Sequence, residues 1–158
     1  MGGAGDDNLD GDRGDDLLIG GTGNDTLNGG SGNDRYQFGY GDGQDVINNY
    51  DSSTTNTDAL VLDETLSIND VWLSRNGNNL QVNLVGSDDQ VTINNWYSSD
   101  YYQLEKIEVG SSVLLNNQVD QLVSAMASFS VPSGVGNVVP QDVSDGLQPI
   151  LVESWRTA

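Results

Sequence analysis

Four nine-residue units follow one another without a break from Gly2 to Gln37: GGAGDDNLD, GDRGDDLLI, GGTGNDTLN and GGSGNDRYQ. So short a period implies a solenoid, because a nonapeptide has too little apolar surface to fold alone and must stack on its neighbours. The units share one template, glycine-glycine-x-glycine-x-aspartate-x-apolar-x, and each slot has its own physical task. Glycine permits the positive φ and close backbone approach needed to reverse a chain within six residues. The apolar slot holds Leu9, Leu18, Leu27 and Tyr36, one inward side chain for each short strand. The fixed acids are Asp7, Asp16, Asp25 and Asp34. Stacking brings these carboxylates together, and like charges at that range require a cation between them.

Calcium suits such a site. It takes about 6 to 8 oxygen ligands at about 2.3 to 2.6 Å and mixes carboxylates with backbone carbonyls, which the glycine loops supply. The composition agrees with a metal-dependent fold: 24 acidic residues against 5 basic ones give a formal charge of −19. That balance excludes nucleic acid as a partner, since no basic patch exists to release counterions. There is no Cys and no His, which removes disulfides, thiolate sites, the usual zinc ligand and the usual general base.

At the repeats the chain resembles the RTX (repeats-in-toxin) family of calcium-binding proteins exported by Gram-negative bacteria. The resemblance implies a parallel β-roll in which two nonapeptides make one turn and an ion sits between loops two repeats apart. By that resemblance one site uses Gly3, Gly5 and Asp7 with Gly20, Thr22 and Asp25. A second uses Asp12, Gly14 and Asp16 with Gly29, Ser31 and Asp34. A fifth unit, YGDGQDVIN from Tyr40 to Asn48, follows the two-residue insertion Phe38-Gly39, and implies a third site of Gly21, Gly23 and Asp25 with Tyr40, Asp42 and Asp45. A partial echo at Asn56 to Val61 adds Asp58 as a candidate ligand. The expected cofactor is Ca²⁺, about two to four ions.

Beyond residue 50 the composition changes to alternating apolar and polar residues. Val71 to Arg75, Leu80 to Val85, Gln90 to Trp96, Leu104 to Val109 and Ser112 to Leu115 read as strands separated by turn sequences such as NGNN and GSDD. Val119, Leu122, Val123 and Met126 recur at helical spacing behind an Asn117 cap. The expected fold is therefore mostly β, a calcium-bound parallel β-roll followed by a small antiparallel sheet with one short helix. The expected division is a roll over 1–50, a capping module over 51–129 with its helix at about 117–129, and a flexible tail over 130–158 with Pro132, Pro140 and Pro149. The resemblance extends to the capping module and implies that the tail holds a type I secretion signal.

The bland rivals are specific. An acidic glycine-rich stretch of low hydrophobicity is a disordered linker unless metal folds it. Asp6, Asn8, Asp10 and Gly11 imitate an EF-hand loop, but Leu17 stands where its bidentate Glu belongs. Arg13-Gly14-Asp15 spells an adhesion tripeptide already explained by the repeat. Glu105 and Glu108 are the nearest approach to a catalytic pair, and a spacing of three on a strand places them on opposite faces. No enzymatic activity is expected. Trp96, Tyr97, Tyr101 and Tyr102 form either the rim of a small sheet or a sugar-binding face.

The functional expectation is a calcium-triggered folding and secretion module at the C-terminus of a larger exported RTX protein, secreted to the extracellular space or cell surface. The expected partner is the type I secretion machinery. MGGAGDD lacks the basic and apolar parts of a signal peptide, no apolar run reaches the roughly 20 residues of a membrane span, and the array starts without a capping turn. Two alternatives stand beside it. One is an adhesin or matrix module that binds glycan or protein through the capping sheet; the other is the non-catalytic tail of a toxin or hydrolase whose active domain lies upstream.

Overall fold

The computed structural model describes residues 1–129 and 141–157. Seven strands serve the repeats and their continuation: β1 (Gly3–Ala4), β2 (Asn8–Asp10), β3 (Leu17–Ile19), β4 (Gly21–Thr22), β5 (Thr26–Asn28), β6 (Arg35–Phe38) and β7 (Gln44–Ile47). Six follow: β8 (Ala59–Leu62), β9 (Val71–Asn76), β10 (Asn79–Leu84), β11 (Gln90–Ile93), β12 (Lys106–Val109) and β13 (Ser112–Leu115). Helices α1 (Asn116–Met126) and α2 (Gln141–Ser154) and the short β14 (Arg156–Thr157) complete the described chain.

The fold is mostly β, as the alternation of apolar slots predicts. Two six-stranded sheets face each other, in the orders β2-β5-β7-β11-β10-β9 and β14-β13-β12-β8-β6-β3. Successive repeats fall alternately into one sheet and the other, so each strand pairs in parallel with the strand two repeats away. Leu9 lies beside Leu27 and Leu18 beside Tyr36, a separation of 18 residues. The insertion Phe38-Gly39 lengthens the next step to 20 residues, with Leu27 beside Ile47, yet keeps the apolar slot in register. The other sheet spans 24 residues to bring Tyr36 beside Leu60. Register survives because a slip of one residue would turn every inward side chain outward.

The second half extends these sheets edge to edge, where the sequence suggests a separate sheet on the end of the roll. β11 pairs in parallel with β7 and β12 in parallel with β8, and antiparallel hairpins β10-β9 and β13 continue outward. One core therefore runs from Leu18, Leu27 and Tyr36 through Ile47 and Leu60 to Trp72, Leu80, Ile93, Leu104 and Leu114.

Three local readings are corrected. Trp96 lies buried in a turn beyond β11. The first helix starts at Asn116 with Leu115 as N-cap and no side-chain cap, so Asn117 lies inside it. Residues 141–157, expected to be a flexible tail, form α2 and β14; Leu147, Leu151 and Trp155 recur at a spacing of four, and all three are buried. The stretch 130–140 with Pro132 and Pro140, and Ala158, lie outside the described residues.

Candidate metal centres

The glycine-rich loops stack along two lines, one on either edge of the roll. Slots two and four carry positive φ throughout, as at Gly3 (109°) and Gly5 (107°), and in the second repeat Asp12 adopts φ 70° in a glycine slot. Aspartate is among the few side chains that tolerate that region. Backbone amides then tie each loop to the loop one turn on: Gly3 and Gly5 donate to the carbonyls of Gly20 and Thr22, and Gly14 donates to Ser31, which donates back to Asp12.

The aspartates form two columns, Asp7–Asp25–Asp45 and Asp16–Asp34–Asp58. Within each, one carboxylate oxygen is consumed in the same way. The Asp7 amide donates to Asp25 Oδ1 at 2.8 Å and the Asp25 amide to Asp45 Oδ1 at 2.9 Å. In the second column the Asp16 amide donates to Asp34 Oδ1 at 3.0 Å and the Asp34 amide to Asp58 Oδ1 at 2.8 Å. The other oxygen is left over. Oδ2 of Asp7, Asp16, Asp25, Asp34 and Asp45 is buried without a hydrogen-bond partner, and among the described residues no other carboxylate oxygen shares that state. An unpaired buried charge is among the costliest features a fold can carry.

The space beside these oxygens is fitted to them. A Cβ placed on Gly2 would lie 2.5 Å from the Gly20 carbonyl oxygen and 2.6 Å from Asp7 Oδ2; on Gly11 it would lie 2.6 Å from both Asp16 Oδ2 and the Gly29 carbonyl oxygen. The first slot thus stays glycine because a carboxylate and a carbonyl of the later loop converge there. Among the described residues no three acidic side chains are arranged to hold a metal ion by themselves, so a site here would draw on backbone carbonyls beside two carboxylates. Gly20, Thr22 and Ser31 carbonyls each already accept one amide, and each retains a second lone pair. Such an all-oxygen set suits a hard divalent cation.

Electrostatics follow burial. Burial pushes the Asp45 carboxyl up to about 7, with Asp25, Asp42 and Asp89 adding negative charge nearby. Burial likewise raises Asp34 to about 6, aided by Asp58, Asp16 and Asp51. Asp42 and Asp58 are raised as well, chiefly by burial.

The structure stacks the loops of the first two expected sites one turn apart, with their aspartates 18 residues from each other. For the third, the Gly23 amide donates to the Asp42 carbonyl at 3.1 Å, matching Gly5 and Thr22 one turn earlier. The insertion is absorbed by a turn in which the Gly39 amide donates to Asp42 Oδ2 at 2.8 Å. Tyr40 projects outward and its hydroxyl donates to the Val85 carbonyl at 2.6 Å. Asp58 differs from the other column aspartates in that both its oxygens have a hydrogen-bond partner: Oδ1 takes the Asp34 amide and Oδ2 the Asn49 side-chain amide.

Several contributors escaped the sequence reading. Slot five forms a second ladder: Asp6 Oδ1 accepts from the Asn24 amide and Asn24 Oδ1 from Gln44, while Asp15 serves Asn33 and Asn33 serves Thr57. Its signal was present, since slot five reads Asp, Asp, Asn, Asn in the four units. Asp89, expected in an exposed hairpin turn, instead accepts the amides of Gly41 and Gly43 at 2.9 Å each and closes the top of the first column. No local pattern announces that contact across 46 residues. Glu105 and Glu108 do not converge: Glu105 Oε2 accepts the Asp58 amide, whereas Glu108 pairs with Arg35 at 2.7 Å and Lys106 at 2.9 Å. Of the aromatic group, Trp96 is buried, Tyr97 lies under the Arg75 guanidinium at 4.1 Å, and Tyr101 and Tyr102 pack against Tyr50.

A parallel roll that holds unpartnered carboxylates in register on its edges is a cation-binding solenoid. Residues 1–36 match the family model of the RTX calcium-binding nonapeptide repeat, in four copies, and residues 79–109 match the haemolysin-type calcium binding protein related domain. The chain thus carries segments that match RTX calcium-binding repeats and a haemolysin-type related domain, and Ca²⁺ is the cation the repeats imply. Among the described residues no helix is long and apolar enough to cross a membrane.

Proposed function

We propose that this chain is a calcium-triggered folding and secretion module within an exported protein. The observation that carries the reading is the set of five buried carboxylate oxygens without partners, aligned on the two edges of the roll. Calcium would supply the positive charge and coordination these oxygens lack. Asp7 and Asp25 would hold one ion with the carbonyls of Gly3, Gly5, Gly20 and Thr22. Asp16 and Asp34 would hold another with those of Asp12, Gly14, Gly29 and Ser31. Asp25 and Asp45 would hold a third with Gly21, Gly23, Tyr40 and Asp42.

Where free calcium is scarce, repulsion within the columns keeps the array extended, a form suited to passage through a narrow export channel. At the millimolar level outside the cell the balance reverses. With affinities of about 10⁻⁴ to 10⁻³ M, each ion contributes about 0.4 to 1.4 kcal/mol at 1 mM, so coupled sites are required. Asp25 faces both neighbours in its column and supplies that coupling. The segment from residue 130 would carry the signal read by the type I secretion machinery, and the module itself would be non-catalytic.

Far-ultraviolet circular dichroism against calcium tests the switch. The expected result is a coil spectrum in chelator that becomes β on adding calcium, with Asp25→Ala losing two ions and Asp7→Ala losing one by equilibrium titration. A spectrum indifferent to several millimolar calcium overturns the proposal. A second reading, glycan or protein binding by the capping region, is favoured by exposed Tyr50 and Tyr101 beside a polar cleft of about 630 Å³ lined by Ser53, Gln103, Asn116 and Asn117. A glycan screen of the calcium-loaded chain separates the two.

A further inference from the structure

The two aspartate columns present four gaps between stacked loops: Asp7 to Asp25, Asp25 to Asp45, Asp16 to Asp34, and Asp34 to Asp58. In the first three, both carboxylates keep an unpartnered buried Oδ2. The fourth is built differently. Asp58 Oδ2 accepts a hydrogen bond of 2.8 Å from Asn49 Nδ2, so nothing on Asp58 is left unpaired.

Asn49 is fully tied down. Its Nδ2 also reaches the Gln103 carbonyl at 3.4 Å, and its Oδ1 accepts from the Tyr36 hydroxyl at 2.7 Å. Tyr36 Oη in turn accepts the Gly29 amide at 2.8 Å. Asn49 and Tyr36 are both at 0% exposure. Tyr36 occupies the apolar slot where the other three repeats carry Leu. Packing alone would be met by Leu there, so the hydroxyl is the feature that needs a reason. The chain Gly29, Tyr36, Asn49, Asp58 supplies it, satisfying every member in a buried site. The column then ends on protein: the Asp58 amide donates to Glu105 Oε2 at 2.7 Å.

We propose that the Asn49 side-chain amide, fixed by Tyr36, closes the fourth gap in place of a cation. The chain then takes three ions where column spacing alone would offer four, and the last turn of the second column closes without metal. Tyr36 and Asn49 act as positioning residues that end the metal ladder. The inference rests on the calcium reading of the other three gaps.

The test is calcium stoichiometry of the full chain by native mass spectrometry, with calcium titration of the β signal. The wild type is expected to hold three ions. Asn49→Asp places a carboxylate against Asp58 and is expected to hold four, with the calcium midpoint for folding raised about tenfold. Tyr36→Phe is expected to keep three ions and lower the melting temperature, since Asn49 Oδ1 and the Gly29 amide lose their partner. Four ions in the wild type, or three in Asn49→Asp with an unchanged midpoint, overturns the inference while leaving the calcium reading intact; no ions in the wild type removes both. Should Asn49→Asp fail to fold, nuclear magnetic resonance of the calcium-saturated wild type decides. The Asn49 side-chain amide is expected to exchange slowly with solvent, and rapid exchange refutes its role.

Discussion

The same two sheets are held together differently at their two ends. In the first 48 residues the short strands bury at most two side chains each, Leu9 is only partly covered, and Asp25, Asp34 and Asp45 are buried. From Ala59 onward the sheets carry several apolar residues per strand, with Trp72, Leu73, Leu80, Val82 and Leu84 at 2% exposure or less. The first region buries carboxylates beside a narrow line of apolar slots; the second buries hydrocarbon. Continuity of hydrogen bonding across β7–β11 and β8–β12 therefore does not imply continuity of cohesion. Local stability is set by what each turn buries.

The largest test of that contrast is calcium removal followed by hydrogen exchange. In chelator the amides of β2, β3 and β5 are expected to lose protection, while those of β9 and β10 retain it. Equal loss in both regions would break the comparison and make the whole chain one calcium-dependent unit. Next in size, Leu80→Ala should cost about 2 to 5 kcal/mol in denaturant melts, because Leu80 is fully buried, and should leave calcium stoichiometry unchanged. A change in stoichiometry would show that the apolar region shapes the loops directly.

The smallest effect is pH dependence. Asp45 and Asp34 have carboxyls raised from 3.8 to about 7 and about 6. A raised acid favours the ion-free fold below about 3.8 and loses that contribution as pH rises through 6 to 7. Calcium binds the deprotonated form, so the sign reverses in its presence. Affinity should fall between about pH 8 and pH 5.5, with proton release on binding at the lower pH, measured by calorimetry in two buffers. An affinity flat across that range would mean that these carboxylates are not ligands.

Much of this was legible in the nonapeptides because a short exact period fixes geometry. Once Gly, Asp and an apolar residue recur every nine positions, stacking follows, and so do the two aspartate columns and the burial of Leu18, Leu27 and Tyr36. The strands of the second half were legible from alternation. Their attachment was not, since an edge strand of a roll and a strand of a separate sheet share the same pattern of buried and exposed residues.

What the sequence determined by itself is repetition: the register of loops, the placing of acids beside glycines, and the need for positive charge between them. What only the tertiary structure decided is where the repetition stops. Asn49 meets Asp58 across nine residues, Asp89 caps Gly41 and Gly43, and Glu105 receives the Asp58 amide across 47 residues. Such contacts join residues with no shared period, and a hydrogen bond formed once leaves no pattern along the chain.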